Sequence, residues 1–292
     1  MADRKTIGVV VVLGASVMWA VEPTLAKLSY QTANHLDTFA ARSVLSLLTI
    51  GLYLLLVRRK GFAVDKRYLP KLIYVSLAAT LFADLMYIYA LTRVAVINAV
   101  LIGHMQPVFI VLFGYLFLRS DRITRLDYLG ILSMIIAGLL VTGKTVSNLT
   151  QLKFGTVGDL YVLLATIAWA TTAIVARKYL IRLDAGIISF YRFFFATLVF
   201  VTYRLATGGI GSVNVYGIAL GAVIGIGTIL YYEGIRLIKA AQVSAIELST
   251  PLFATIIGFV VLKEYVTAVQ LCGFLFLAAG MFFLSRKEGS IQ

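Results

Sequence analysis

The sequence predicts an all-α integral membrane protein whose ten transmembrane helices form two inverted five-helix repeats. Three observations carry this expectation. The first is composition: 61% of the 292 residues are hydrophobic and only 13% are charged, where ordinary soluble domains hold about a quarter charged residues. The second is an ordered internal repeat across the midpoint. The third is the uneven distribution of basic residues between alternate connections.

The uncharged runs are close to the roughly 20 residues a helix needs to cross hydrocarbon. Ten spans are expected, at about 6–28, 36–57, 71–92, 95–118, 124–143, 157–178, 186–206, 214–236, 241–262 and 267–285. Thr6–Leu28 is too long for the h-region of a signal peptide and lacks a small-residue cleavage site, so it is read as the first span. The longest connections are the basic segment 58–70 and the polar segment 144–156. The chain therefore divides into a first repeat (1–145), a connecting loop (146–156) and a second repeat (157–292).

The repeat is visible residue by residue. Trp19-Ala20-Val21-Glu22-Pro23 in the first span is echoed by Trp169-Ala170-Thr171-Thr172-Ala173 in the sixth. Arg42 pairs with Arg192, Tyr87 with Tyr231, Pro107 with Pro251 and Gly130 with Gly273, always in the same order. Five helices per repeat is an odd number, so the second repeat must insert the opposite way up. With the N-terminus inside, cytoplasmic segments hold eighteen Lys and Arg residues and outer segments six; Arg42 and Arg192 lie within spans and complete the 26. That excess follows the positive-inside rule, and places both termini in the cytoplasm of a cell-membrane protein.

The net charge of +13 does not indicate nucleic acid, because the basic residues stand singly or in pairs at helix ends. The single Cys272 allows no internal disulfide. His35 and His104, distant in sequence and without a cysteine partner, suggest neither a metal centre nor a cofactor site. No Gly-x-Ser-x-Gly or His-Glu-x-x-His motif supports an enzyme, and no filter-like loop or charged ring supports a channel.

Two proline-bearing helices are expected to wall a central pathway. Proline cannot donate its backbone hydrogen bond and frees the carbonyl four residues back. At membrane depth such groups are tolerated where they are buried in protein or line a wet cavity. Pro107 and Pro251 are thus the expected helix breaks, with His104 and Gln106 beside the first. Ser244, Glu247 and Thr250 form a polar stripe beside the second. An ionised side chain at the bilayer centre costs about 2.5–3.5 kcal/mol even on lenient scales, so Glu22, Asp84 and Glu247 are candidates for function by default.

Each candidate also has a plainer reading. Glu247 either exchanges a proton or holds a substrate ammonium, or else makes a structural hydrogen bond. Glu22 either acts in the pathway or is solvated in an outer vestibule. Asp84 titrates or pairs with Arg42 or Arg192. His104 relays protons or packs. Arg42 and Arg192, expected in opposite leaflets, suit a shared structural task. Trp19, Trp169, Tyr74, Tyr87, Tyr89, Tyr231 and Tyr232 divide, in a way the sequence does not sort, between lining a cavity that stacks apolar substrate parts and the interfacial belt. The glycines, including Gly221, Gly225 and Gly227, suit close helix packing.

Taken together, the chain resembles the ten-helix EamA-type permeases of the drug/metabolite transporter superfamily. The resemblance rests on Trp19 and Trp169, on Ala90, Leu91, Ala95, Ala99 and Pro107, and on Ala241, Ala245 and Pro251 followed by Lys263-Glu264 and Thr267. Arg119-Ser120-Asp121 departs from the pattern in the first half. The resemblance implies a cavity between the halves, lined mainly by helices 1, 3, 4, 6, 8 and 9, and alternating access that commonly exports amino acids or related metabolites. Carboxylates, tyrosines and paired arginines suit a zwitterion. Sugar-phosphate, nucleotide-sugar and cationic drug transport, and a channel-like permease, are the alternatives. The expected partners are a small-molecule substrate, protons and the lipid bilayer; a monomer suffices for a pathway, and an oligomer is compatible with it.

Overall fold

The computed structural model describes residues 4–57, 61–118, 124–209, 211–235, 237–238, 240–247 and 249–285, and among these it is helical without a strand. Eight helices are long and apolar enough to cross a membrane: α1 (Lys5–Ser29), α2 (His35–Val57), α3 (Lys66–Ala90), α4 (Val96–Phe117), α5 (Arg125–Gly143), α6 (Val157–Leu180), α7 (Ala185–Thr207) and α8 (Val215–Gly234). Two shorter apolar helices follow: α9, in segments Ala240–Glu247 and Ser249–Leu262, and α10 (Ala268–Leu284). The two segments of α9 flank Leu248, which lies outside the described residues, and together they cover the ninth expected span. Arg58, Arg59, Lys60, Arg119, Ser120, Asp121, Arg122, Arg236, Lys239, Arg286 and Lys287 lie outside the described residues.

Helix starts follow from capping chemistry. The Asn34 side chain accepts from the Leu36 and Asp37 amides at the start of α2. Thr124 with Asp127 and Thr156 with Asp159 form reciprocal capping boxes on α5 and α6. The connecting segment 146–156 is not wholly the loop expected from its polarity. Val146–Thr150 forms a short helix because the Thr145 hydroxyl accepts from the Asn148 amide and caps it.

The halves run in opposite directions, and contacts at one face show it. Lys27, near the end of α1, pairs with Glu264 just after α9. The other Glu264 carboxylate oxygen accepts from the Val96 amide at the start of α4. Asn98, one turn into α4, donates to Asp159 at the start of α6. So α1 ends at the face where α6 begins. The packing has the same symmetry: α1 packs on α8 and α9, while α6 packs on α3 and α4. Exchanging the halves leaves this pattern unchanged. Helices α2 and α7 meet across the pseudo-axis, as do α5 and α10.

Outward faces carry exposed leucines and phenylalanines such as Leu56, Phe117, Leu205 and Leu275, suited to acyl chains. Where two backbones must nearly touch, a glycine permits it. A Cβ on Gly221 of α8 would stand 2.4 Å from the Leu45 Cβ and 3.0 Å from the Ala41 and Arg42 carbonyl oxygens. The absence of that carbon brings α8 onto α2 beside Arg42.

Candidate functional site

Helix α4 is interrupted where the sequence places Pro107. The helical segment Val96–Gly103 ends at His104, whose φ and ψ are −75° and 0°, and the chain restarts as Gln106–Phe113 with the proline in its first turn. The Val108 amide is bonded to Met105 in a tight turn, 3.0 Å away. His104 Nδ1 lies 2.7 Å from the Val100 carbonyl oxygen. A carbonyl only accepts, so Nδ1 carries the hydrogen and Nε2 is the acceptor of the neutral ring.

Beside this break lies a cavity of about 400 Å³ between the halves. Of the sequence candidates, Glu22, Asp84, His104, Gln106, Glu247 and Thr250 line it. Trp19, Trp169, Tyr87, Tyr231, Tyr232, Pro107, Arg42 and Arg192 line it as well. Pro251 is buried next to it, and the Ser244 side chain lies outside what the structure describes. Tyr74 is instead exposed on the outer surface, bonded to Thr171, and Tyr89 sits near His35 and Arg93. Besides the six helices that the resemblance implies, α2 and α7 contribute Arg42, Ile188, Arg192 and Phe193.

The cavity's main polar feature is a node on Asp84, which has no solvent exposure. Arg42 Nη1 donates to Asp84 Oδ2 at 2.9 Å. Arg192 Nη2 and Trp169 Nε1 donate to Oδ1 at 3.1 and 2.8 Å. Arg42 also holds Glu22 Oε1, through Nε at 2.9 Å and Nη2 at 2.7 Å. Of the two readings of Asp84, the structure shows the pairing, and with both arginines at once. Each stands two turns inside its helix, and their long side chains converge on one carboxylate. Glu22 is correspondingly an ion-pair partner rather than a vestibule residue. Asp84 ends a nine-residue π-helical stretch of α3, Ser76–Asp84, the widened winding that recurs at functional positions. At its other end the Ser76 hydroxyl splices α3 to α7, donating to the Arg192 carbonyl and accepting from the Ala196 amide.

Aromatic pairs repeat across the halves. Trp19 of α1 lies 5.0 Å from Tyr231 of α8, and Trp169 of α6 lies 5.4 Å from Tyr87 of α3, ring centre to ring centre. The carboxylates do not repeat. The counterpart of Glu22 is Thr172 and that of Asp84 is Thr228. Both threonines line the cavity, each bonding back to its own helix at 2.8 Å. Thr228 was not among the residues singled out from sequence, although the offset between Tyr87 and Tyr231 points to it.

Several polar atoms in the cavity wall are unmatched. Among the described residues Glu247 makes no hydrogen bond or ion pair, and the Thr250 hydroxyl, on a residue 2% exposed, has no partner. Arg192 Nε is buried without an acceptor. Glu22 Oε2 receives no donor, since both Arg42 contacts fall on Oε1. No group of three or more metal-ligating side chains occurs among the described residues.

The face where α1, α3, α5, α7 and α9 end is densely cross-bonded. It carries the Lys27–Glu264 pair at 2.6 Å and Arg204–Asp37 at 2.8 Å. The buried chain Gln270–Asn98–Asp159 adds two bonds, of 2.8 and 2.9 Å. Residues such as Val75, Ala176, Ile188 and Met281 carry the cavity toward the opposite face, which both ends of the described chain approach.

Two antiparallel halves around a cavity beside a broken helix are the arrangement found in membrane transporters. The comparisons agree. A model described as the EamA-like transporter family matches residues 6–143 and again 156–286. An uncharacterized transporter of Methanothermobacter thermautotrophicus is 23% identical over 303 residues, covering 96% of this chain and 87% of its own. The pseudopaline exporter CntI of Pseudomonas aeruginosa is 29% identical over 197 residues, covering 68% of this chain and 66% of its own. A crystal structure of a protein at 15% identity has the same fold, with a TM-score of 0.67 over 98% of this chain and all of that one. The chain belongs to the EamA-like transporter family, within the drug/metabolite transporter superfamily, and is a multi-pass membrane transporter.

Proposed function

We propose that this transporter exports a small zwitterion of the amino-acid class from the cytoplasm, by alternating access through the central cavity, with both termini cytoplasmic in the cell membrane. The observation that carries the reading is the pattern of unmatched polar atoms around the Asp84 node. Arg192 presents an Nε donor without an acceptor, and Glu22 presents Oε2 without a donor. A buried polar atom left unpaired is costly, and Arg192 Nε is such an atom; Glu22 Oε2 is an acceptor open to a ligand. A substrate carboxylate on Arg192 and an ammonium on Glu22 satisfy both groups at once.

The cross-bonded face and the cavity reaching toward the other support one closed and one accessible end of a carrier cycle. Export is supported by the relative from Pseudomonas aeruginosa, a pseudopaline exporter. Sugar phosphates fit less well, because Arg42 and Arg192 are both already engaged by Asp84. The test is counterflow in proteoliposomes with a panel of labelled amino acids. Saturable exchange accelerated by substrate on the far side, and lost in Arg192→Ala, is the expected result. Flux without counterflow would make the protein a channel-like permease, and no amino-acid movement would remove the zwitterion reading.

A further inference from the structure

The cavity has more acceptor than a simple zwitterion uses. Arg42 and Arg192 are balanced by Glu22 and Asp84, but Glu247 has no arginine or lysine counterpart among the described residues that line the cavity, and the His104 ring there bonds back to the Val100 carbonyl. The orphaned Thr250 hydroxyl lies one helical turn on, on the same cavity wall. The neighbouring wall is aromatic: Tyr231 touches both Trp19 and Tyr232, at 5.0 and 5.5 Å between ring centres, and packs beside Ile246, the residue before Glu247. A carboxylate, an unpaired hydroxyl oxygen and aromatic faces in a desolvated wall are the groups that recognise an ammonium.

From this juxtaposition we infer a second ammonium subsite at Glu247 and Thr250, separate from the zwitterion end at Arg192 and Glu22, so that the preferred substrates are diamino monocarboxylic acids. The inference rests on the proposed zwitterion reading and adds the side-chain charge. Trp19 sets the spacing: it is one turn from Glu22 on α1, and its ring meets Tyr231. The two ends of a substrate are thereby separated by an aromatic partition, which the aliphatic stem of a diamino acid can follow.

The test compares L-lysine with L-norleucine, which has the same four-carbon side chain without the terminal ammonium. Equilibrium binding to the purified full-length protein is measured for wild type, Glu247→Gln and Thr250→Val. In wild type, lysine binds of order tenfold tighter than norleucine, a ratio that an ion pair backed by a cation–aromatic contact supplies. Glu247→Gln collapses that preference to about twofold or less, and Thr250→Val reduces it partway. Equal wild-type affinities overturn the subsite without needing any variant to fold, and leave the zwitterion reading intact. A preference that survives Glu247→Gln in folded protein overturns the assignment to Glu247. If neither amino acid binds, the zwitterion reading falls and the subsite with it.

Discussion

Asp84 and Glu247 face the same cavity, and the protein treats them in opposite ways. Asp84 receives two guanidinium groups and an indole N–H. Two of these three donors, from Trp169 and Arg192, belong to the other half of the chain. Glu247 receives nothing among the described residues. The internal repeat makes the contrast sharper, because the position equivalent to Asp84 is Thr228, which only bonds back to Ile224. The aromatic frame and the arginine are duplicated while the carboxylate is not. We read Asp84 as the pin that joins the halves and Glu247 as an acceptor held for a ligand.

The largest expected effect is at the pin. Asp84→Asn leaves two arginines, of which Arg42 is 3% exposed, to share the one remaining carboxylate, Glu22. Leaving a buried charge without its partner destabilises by about 3–5 kcal/mol. A large fall in the melting temperature of the purified variant, with loss of transport, is the outcome to look for. A melting temperature close to wild type would show that the node is dispensable for folding, and the contrast with Glu247 would collapse.

A smaller effect is expected where α8 rests on α2 behind the node. Gly221→Ala places a carbon against Leu45 and two backbone oxygens. Overpacking of this kind costs about 1–3 kcal/mol, and because Arg42 belongs to the same helix face, substrate affinity falls with stability. Smaller again is Glu264→Gln at the cross-bonded face. It weakens a partly exposed pair with Lys27 while keeping an acceptor for the Val96 amide, so about 1 kcal/mol or less is expected. The informative readout is accessibility: if this face closes the cavity, a cysteine placed on that side of the cavity reacts faster with an aqueous thiol reagent in Glu264→Gln.

Much of this arrangement was legible in the sequence, for physical reasons. Hydrophobic runs must match the bilayer, and an odd number of helices per repeat forces inversion. A charge placed in such a run turns inward, so Glu22, Asp84, Arg42 and Arg192 could be named individually. Pairing of Asp84 with Arg42 or Arg192 could be named as one reading; that both arginines meet on it, with Glu22 held by Arg42, could not, since a long arginine side chain spans more depth than its position in the helix suggests. Thr228 passed unnoticed because threonine is unremarkable in an apolar helix until its repeat counterpart is seen to be Asp84. The helix at Val146–Thr150 was hidden by a polar composition that also suits loops. Lys27–Glu264 and Gln270–Asn98–Asp159 join residues far apart in sequence, and no local pattern announces them.

The smallest change in stability, and the sharpest test of the contrast, is at Glu247. If this carboxylate takes part in holding the fold, Glu247→Gln strands a donor elsewhere and the protein is destabilised as at Asp84. No such donor exists among the described residues, and a neutral amide is easier than a carboxylate to keep in a desolvated wall. Glu247→Gln therefore melts close to wild type or slightly above it. Ligand-induced stabilisation changes instead: a bound substrate at one hundred times its Kd adds about 2.7 kcal/mol to the folded state, and the lysine-specific part of that gain disappears in the variant. Side by side, Asp84→Asn loses the protein and Glu247→Gln loses the ligand. A Glu247→Gln protein as unstable as Asp84→Asn would place both carboxylates in the scaffold.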